Sequence, residues 1–561
     1  MLAMTQLCVA GAPPDPCPRF APGSVVAPPS ELFSKNGVLS VNLAYNTSLD
    51  ENGNPKFCFT TPDGTQSPSL HIRPGDQLVV TVKNNLPAPT SPNAMRMAVS
   101  GPNVCGAETM DRSSVNVHYH GANVSPVCGQ DEVIRTVINS GETFTYNITF
   151  PADEPPGLYW YHPHIHGIAE SAVQGGASGA IIVDGIESLQ PAVIGLPQRV
   201  LLIRDQLTPC GDDCEDGAPA WDVSVNYVPV TYPKYQTAVI QMSPGANEFW
   251  RVGNVSADTI LDLELRYNGR AQPLKLVSLD AVPLGSQDGT RQGKLFQVKH
   301  ILIPPAGRAE FIVRAPLQKQ DRKSAVLVTR IVDTGPDGDV DPERPLATIV
   351  ATDTKAATHT SRPAVPGAPT PAWQQRFEGL DTARVTAQRK LYFSELNAQN
   401  QFFITVDGDV PSLFDPNAPP AIITTQGAVE DWTIENRALE NHEFHIHQIH
   451  FKLLARDGVA VPASQRQFLD TVDIPYWTGS GPFPSVTVRM DFRGPDLGDF
   501  VYHCHILEHE DLGMMAIIRV QPAAASTKID GKAQEAAVMR DGPSNTAGMA
   551  GSGGEVIRAE H

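Results

Sequence analysis

One spacing recurs three times along the chain and limits its fold more tightly than any other feature. Gly75 leads through DQLVVTVK to Asn84, Gly245 through ANEFWRVG to Asn254, and Gly427 through AVEDWTIE to Asn436. Each Asn lies nine positions after its Gly, with alternating apolar residues between them. A Gly turn followed by that alternation is the pattern of a half-buried strand. Three such elements, about 170 to 180 residues apart, imply three copies of one β domain. Fifty Pro and 45 Gly among 561 residues favour turn-rich β structure over helical bundles, and 41% hydrophobic residues suffice for packed cores. The expectation is an all-β chain of three Greek-key β-sandwich domains.

A second spacing joins the first and last copies. Gly157 opens GLYWYHPH, with His162 and His164, and Gly498 opens GDFVYHCH, with His503 and His505. Each is followed by a Gly and an apolar strand, Gly179 to Val183 and Gly513 to Ile518. The middle copy lacks the histidine pair, so the outer domains are expected to carry the chemistry and the middle one to space them. Composition sets the boundaries: an extension over 1–34, domains over 35–187, 188–352 (without metal ligands) and 381–521, an Ala/Thr/Pro-rich linker over 353–380, and a disordered tail over 522–561.

Twelve of the 16 histidines fall in four clusters. They are HYHG (His118, His120), HPHIHG (His162, His164, His166), HEFHIHQIH (His442, His445, His447, His450) and HCHILEH (His503, His505, His509). On a strand, residues i and i+2 share a face, so four HxH pairs can converge as eight imidazoles around metal. Eight histidines exceed the three or four ligands of a zinc site, and HEFH is one residue short of a zinc-protease helix. Cys504 with His442, His509 and a nearby Met forms the His₂Cys set with a weak axial thioether that suits blue copper. On the strand YHCHI, Cys504 faces one way and His503 and His505 the other, which makes a short covalent path between two metal sites.

HYHG, WYHPHIHG, HEFHIH and HCHILEHEDLGMM together resemble the multicopper oxidases, most closely the bacterial three-domain, laccase-like branch, over about residues 35 to 521. The resemblance implies three cupredoxin-like domains and four copper ions: one type 1, one type 2 and two type 3. It assigns His442, Cys504 and His509 to type 1, with Met514 as axial ligand and Met515 pointing away. His118 and His445 become the type 2 ligands. His120, His162 and His505 hold one type 3 copper, and His164, His447 and His503 the other. His166 and His450 fall outside this pattern, as second-sphere or surface residues. The implied reaction passes four electrons from a one-electron donor through Cys504 to a trinuclear cluster, where O₂ becomes water. Its four protons call for carboxylate relays, for which Glu510 and Asp131 are the candidates. Three departures stand out: Glu443 replaces a frequent Pro, Gln448 stands where Gly is usual, and Asp131 or Glu132 falls two or three residues later than the acid that commonly follows HxHG.

The donor is a small reducing molecule. A soft Cu(I) donor would call for thioether-rich segments, but only 11 Met are present and 353–373 contains none; Met95 and Met97 are too few to replace them. Phenols and aromatic amines are therefore expected, with Mn(II), Fe(II) or Cu(I) as the metallo-oxidase alternative. A copper-free structural relative is the remote one, since all ten ligand histidines and the cysteine are retained. A formal charge of −19 opposes nucleic acid as partner, and no apolar run reaches the length of a membrane span. Cys105 with Cys128, and Cys210 with Cys214, are the nearest pairs, and disulfides there would fit an oxidising compartment; Cys8, Cys17 and Cys58 leave one over. The first twenty residues do not read as a complete signal peptide, so a secreted or periplasmic location is expected from function.

Overall fold

The alternating segments become strands because each has one apolar face to bury, and the recurrent element pairs the same way every time. The computed structural model describes residues 14–89, 96–100, 104–208, 217–288, 293–317, 325–352, 359–360 and 376–523. Strands Gln77–Asn84, Asn247–Asn254 and Val429–Asn436 are the three copies. Each runs parallel to an earlier strand, Val38–Leu49, Pro197–Leu207 or Ala387–Leu396. Each also runs antiparallel to a later one, Thr143–Thr149, Arg308–Arg314 or Ser485–Asp491. The preceding glycines, Gly75, Gly245 and Gly427, all have positive φ, which a residue with a Cβ adopts only at a cost.

The closing asparagines explain why the repeat ends as it does. Asn84, Asn254 and Asn436 are fully buried, and each side-chain amide donates to two backbone carbonyls of neighbouring loops: Ser113 and Ile138, Thr259 and Ile303, Glu440 and Ile474. Buried carbonyls need such donors.

The described chain is nearly all β, and apart from two two-stranded ribbons its strands form three pairs of sheets. A five- and a four-stranded sheet enclose a core containing Phe59, Tyr146 and Tyr161; a nine- and a six-stranded sheet enclose Trp250 and Phe311; a seven- and a five-stranded sheet enclose Trp432, Phe444 and Tyr502. Strand Gly157–His162 is apolar on both faces because Tyr159 and Tyr161 fill the first core while Leu158 and Trp160 pack on Val200, Leu202 and Val255 of the second sandwich. The short helices Ala169–Gln174 and Leu507–Asp511 meet, and Asp511 accepts the backbone N–H groups of Gly167, Ala169 and Glu170.

Disulfides join Cys17 to Cys58 and Cys105 to Cys128. The second was expected; the first settles the pairing left open among three cysteines. Cys8, Cys210, Cys214, Met95 and nearly all of the 353–373 segment and of the tail lie outside the described residues. The end of the expected linker is not loose chain: Phe377 stacks on Phe468 at 4.2 Å and is buried with Leu380, Val282 and Val429. Its aromatic side chain finds an apolar seam, which an Ala/Thr/Pro composition does not reveal. Among the described residues no helix is long and apolar enough to cross a membrane.

Candidate metal centres

The last sandwich builds two buried centres, one within itself and one shared with the first. Strand His442–Ile446 lies beside Gly498–Cys504, with Phe444 opposite Cys504 and His445 opposite His503. In the first sandwich His118–His120 lies beside Gly157–His162, with His118 opposite His162.

The thiolate centre uses His442, Cys504 and His509, whose ligand atoms converge. Cys504 Sγ is 3.6 Å from His442 Nδ1 and 3.8 Å from His509 Nδ1, and those two nitrogens are 3.1 Å apart. Cys504 is the free cysteine among the described residues. Burial pushes its thiol well up, so a thiolate there needs a cation beside it. The N–H of Glu443 donates to the sulfur at 3.4 Å, a bond that a proline could not make. Met514 is fully buried in the same core cluster as Cys504, and its N–H donates to the His509 carbonyl. Met515 packs instead with Val133, Val501 and Ile517. Outward, His442 Nε2 bonds Glu395 at 2.8 Å and His509 Nε2 lies 3.5 Å from Glu440. Burial pushes Glu440 up to about 9. Burial also pushes Glu395 up, but the bond and charge of His442, the charge of His509 and a bond with Glu440 together hold it below its usual range.

The second centre gathers His118, His120, His162, His164, His445, His447, His503 and His505, all buried. Ligand atoms converge in three overlapping triplets: His164 with His447 and His503, His118 with His120 and His162, and His118 with His445 and His447. The His505 ring lies 5.0 Å from His120 and 5.6 Å from His162, and the His118 and His445 rings are 6.2 Å apart. Burial, then repulsion between imidazoles, pushes His118, His447, His503 and His505 well below the ordinary histidine value. The rings therefore offer neutral lone pairs.

The residues fit copper on a direct observation. His118 Nε2, His120 Nδ1, His162 Nε2, His445 Nε2 and both nitrogens of His505 are buried without a hydrogen-bond partner. Leaving so many polar atoms unpaired is costly. Further, Nε2 of His503 faces Nε2 of both His164 (3.4 Å) and His447 (3.2 Å), and its one proton or one lone pair can make a full hydrogen bond to only one of them. A cation resolves both conflicts.

The outer nitrogens are held by the protein, which fixes ring planes. His162 Nδ1 bonds Pro163 O at 2.8 Å, His445 Nδ1 bonds Asp470 O at 2.7 Å, and His503 Nδ1 bonds the carbonyl of Cys504 at 2.8 Å. That last bond connects the two centres. Asp131 receives His118 Nδ1 at 3.0 Å, the Tyr119 N–H and the Gln448 amide. Glu510, fully buried, has its carboxyl oxygens 3.3 Å from His503 Nδ1 and 3.6 Å from His164 Nδ1, and burial pushes it well up.

Sequence reasoning missed Glu395, Asp470 and Arg308, lone residues whose roles depend on distant partners. Gln448 was visible only as a departure; here it takes φ +61°, the conformation glycine prefers, and its amide reaches Asp131. His450 is a correction to the surface option: it is fully buried, with Nε2 2.9 Å from the Asp280 carbonyl. His166 edges onto Phe414 outside the cluster.

Comparison with known proteins agrees. Two family models, both described as multicopper oxidase, match residues 108–188 and 385–524. The multicopper oxidase mco of Staphylococcus haemolyticus is 23% identical over 468 residues, 81% of each chain. A laccase of Haloferax volcanii is 34% identical over 104 residues, 18% of this chain and 16% of that one. A solved structure titled as a multicopper oxidase from Campylobacter jejuni, a metallo-oxidase, superposes with TM-score 0.63 at 20% identity, covering 90% of this chain and 96% of that one. With matches over both histidine-bearing ends and relatives spanning most of its length, the chain belongs to the multicopper oxidases, a family of oxidoreductase enzymes.

Proposed function

We propose that the chain takes one electron at a time from a small reducing cation, Fe(II) or Mn(II), at the Cys504 centre, and reduces O₂ to water at the histidine cluster. The observation that carries the donor class is a cavity of about 320 Å³ against His509, lined by Asp258, Asp337, Asp339, Asp341, Glu440 and Glu508. Among the described residues no Lys or Arg lines it. Hard divalent cations prefer carboxylate oxygen, whereas Cu(I) prefers thioether sulfur, which this cavity lacks. A carboxylate-walled cleft also concentrates cations in front of the electron-accepting histidine.

In this reading His442, Cys504, His509 and Met514 hold a type 1 copper, His118 and His445 a type 2, and His120, His162, His505 with His164, His447, His503 a type 3 pair. Copper so bound would supply one-electron redox at the thiolate and the capacity to deliver four electrons to O₂ at the cluster. The protein's own part is to hold the path and the protons. The Cys504 carbonyl bonded to His503 gives a short bridge between the centres, and Glu510, whose carboxyl burial pushes well up, is within reach of His164 and His503. Asp131 orients His118 and is the second proton-handling candidate. The two disulfides support an exported, oxidising location.

Phenolic and aromatic-amine donors, the expectation from sequence, become the second reading, supported by Phe402, which lies flat on His509 at 4.4 Å and lines the same cavity. Oxygen uptake by the copper-loaded protein separates the two. Fast uptake with Fe(II) or Mn(II), and slow uptake with a methoxyphenol, is the expected result. Fast uptake with the phenol alone would assign a laccase.

A further inference from the structure

We infer that the middle sandwich is part of the oxygen-reducing centre: Arg308, acting through Asp470, is a positioning residue that aims one imidazole from each outer sandwich, His120 and His445, at the metals. The inference rests on the copper reading above, and it replaces the view of the middle domain as a spacer.

Asp470 is fully buried and reaches both rings. Its carbonyl accepts from His445 Nδ1 at 2.7 Å, and its Oδ1 lies 3.4 Å from His120 Nε2. One nitrogen of each ring is thereby engaged, and the opposite ones, His445 Nε2 and His120 Nδ1, are left buried and unpartnered. Those are the atoms free to meet a metal. The rings are stacked at 4.1 Å with 17° between their planes, so a single residue sets the tautomer and plane of two ligands from different domains.

The middle sandwich holds Asp470 on both its side chain and its backbone. Arg308 donates from Nη1 to Oδ1 at 2.7 Å and from Nη2 to Oδ2 at 2.5 Å, a two-pronged grip that only a planar guanidinium provides. Asp280 accepts the N–H of Asp470 at 3.2 Å and of Thr471 at 3.4 Å, and also the N–H of Arg308 at 2.9 Å. Arg308 is in turn fixed by the carbonyls of Leu158 in the first sandwich and Ala306 in its own. All three sandwiches thus meet at one carboxylate.

Two sequence features left without a role fall into place. Gly121, the glycine of HYHG, would with a Cβ come within 2.5 Å of Arg308 Nη2 and 2.6 Å of Asp470 Oδ2, so it makes room for the pair. His450, the fourth histidine of HEFHIHQIH, lies 3.6 Å from Asp470 Oδ2 and bonds the Asp280 carbonyl; it braces the clamp.

The test compares copper-loaded wild type with R308M/D470N, which removes both charges so that neither is left buried alone, and with R308K, which keeps the charge but not the fork. R199M/E248Q removes another buried pair of the same sandwich, Arg199 on Glu248 at 3.0 Å, and serves as the control. Copper per chain and electron paramagnetic resonance are read beside circular dichroism. We expect R308M/D470N to keep its fold and the blue type 1 signal, to hold cluster copper about 10- to 100-fold more weakly, and to show a changed type 2 signal, with R308K intermediate and the control unchanged. Full copper and an unaltered type 2 signal in both Arg308 variants would overturn the inference while leaving the copper reading intact. Equal cluster loss in the control would overturn it too, as would a wild type that binds no cluster copper, which defeats the copper reading with it.

Discussion

The thiolate centre and the histidine cluster draw on the same two strands of the last sandwich, yet their imidazoles are wired in opposite ways. At the thiolate, His442 and His509 turn Nδ1 inward and Nε2 outward to Glu395 and Glu440, and His509 borders a carboxylate-lined cavity. In the cluster the outer nitrogens rest on buried carbonyls of Pro163, Cys504 and Asp470 and on the buried carboxylates Asp131 and Asp470. The first arrangement puts a ligand edge where a solvent-borne donor can reach it. The second buries every ligand ring. Cys504 belongs to both, through its sulfur on one side and its carbonyl on the other.

The comparison breaks most completely at that residue. Cys504→Ser is expected to abolish the blue absorption and all donor-driven oxygen uptake while circular dichroism stays native, because serine fills the same space without a soft ligand. Retained turnover in a copper-replete variant would mean that electrons bypass the strand.

Glu510→Gln separates the two centres functionally. The amide keeps the shape but cannot deliver a proton, so oxygen consumption should slow by about 10²-fold. Anaerobic reduction of the blue centre by the donor, followed by stopped flow, should not change. A parallel slowing of both would place Glu510 on the electron path instead.

Much of this division was legible in the sequence. The three Gly-to-Asn elements gave the strand repeat because a half-buried strand must alternate, and His/Cys spacing on strands gave the two faces of YHCHI. What stayed hidden was everything set by contacts between distant segments. Asp470 is an unremarkable acid until Arg308, 162 residues away, grips it. The carboxylate cavity gathers Asp258 and Asp339 from separate loops and Glu508 from a short helix, whereas counting methionines could weigh only a soft donor. Phe377, in a stretch whose composition reads as linker, is drawn into a seam by an aromatic partner, Phe468, that no local pattern points to.

The cavity offers a gentler way to sharpen the contrast. Asp337→Asn with Asp339→Asn removes two charges from the wall of the cavity that His509 borders and touches none of the copper ligands proposed above. KM for Fe(II) should rise by about 10-fold and its dependence on ionic strength should flatten, while KM for a neutral phenol stays put. Equal changes for both donors would show that the carboxylates shape the cavity and do not select a cation.

The finest distinction concerns the sulfur itself. In the resembling family a proline often follows the first type 1 histidine, and here Glu443 puts an N–H in its place, 3.4 Å from Cys504 Sγ. That N–H goes to the sulfur and not to a neighbouring strand, so a proline would cost the strand none of its pairing there; the preceding His442 is already extended, as a residue before proline prefers. A donor on the thiolate draws electron density away from the metal and favours the reduced form. Glu443→Pro should therefore lower the potential of the blue centre, by tens of millivolts on the scale where about 59 mV is tenfold for one electron. It should also shift the blue band, with the cluster signals unchanged. The carboxyl leaves with the N–H, so Glu443→Gln is the needed companion: it keeps the donor and should keep the potential. If Glu443→Gln lowers the potential as far as Glu443→Pro does, the buried side chain tunes the site and the backbone bond does not.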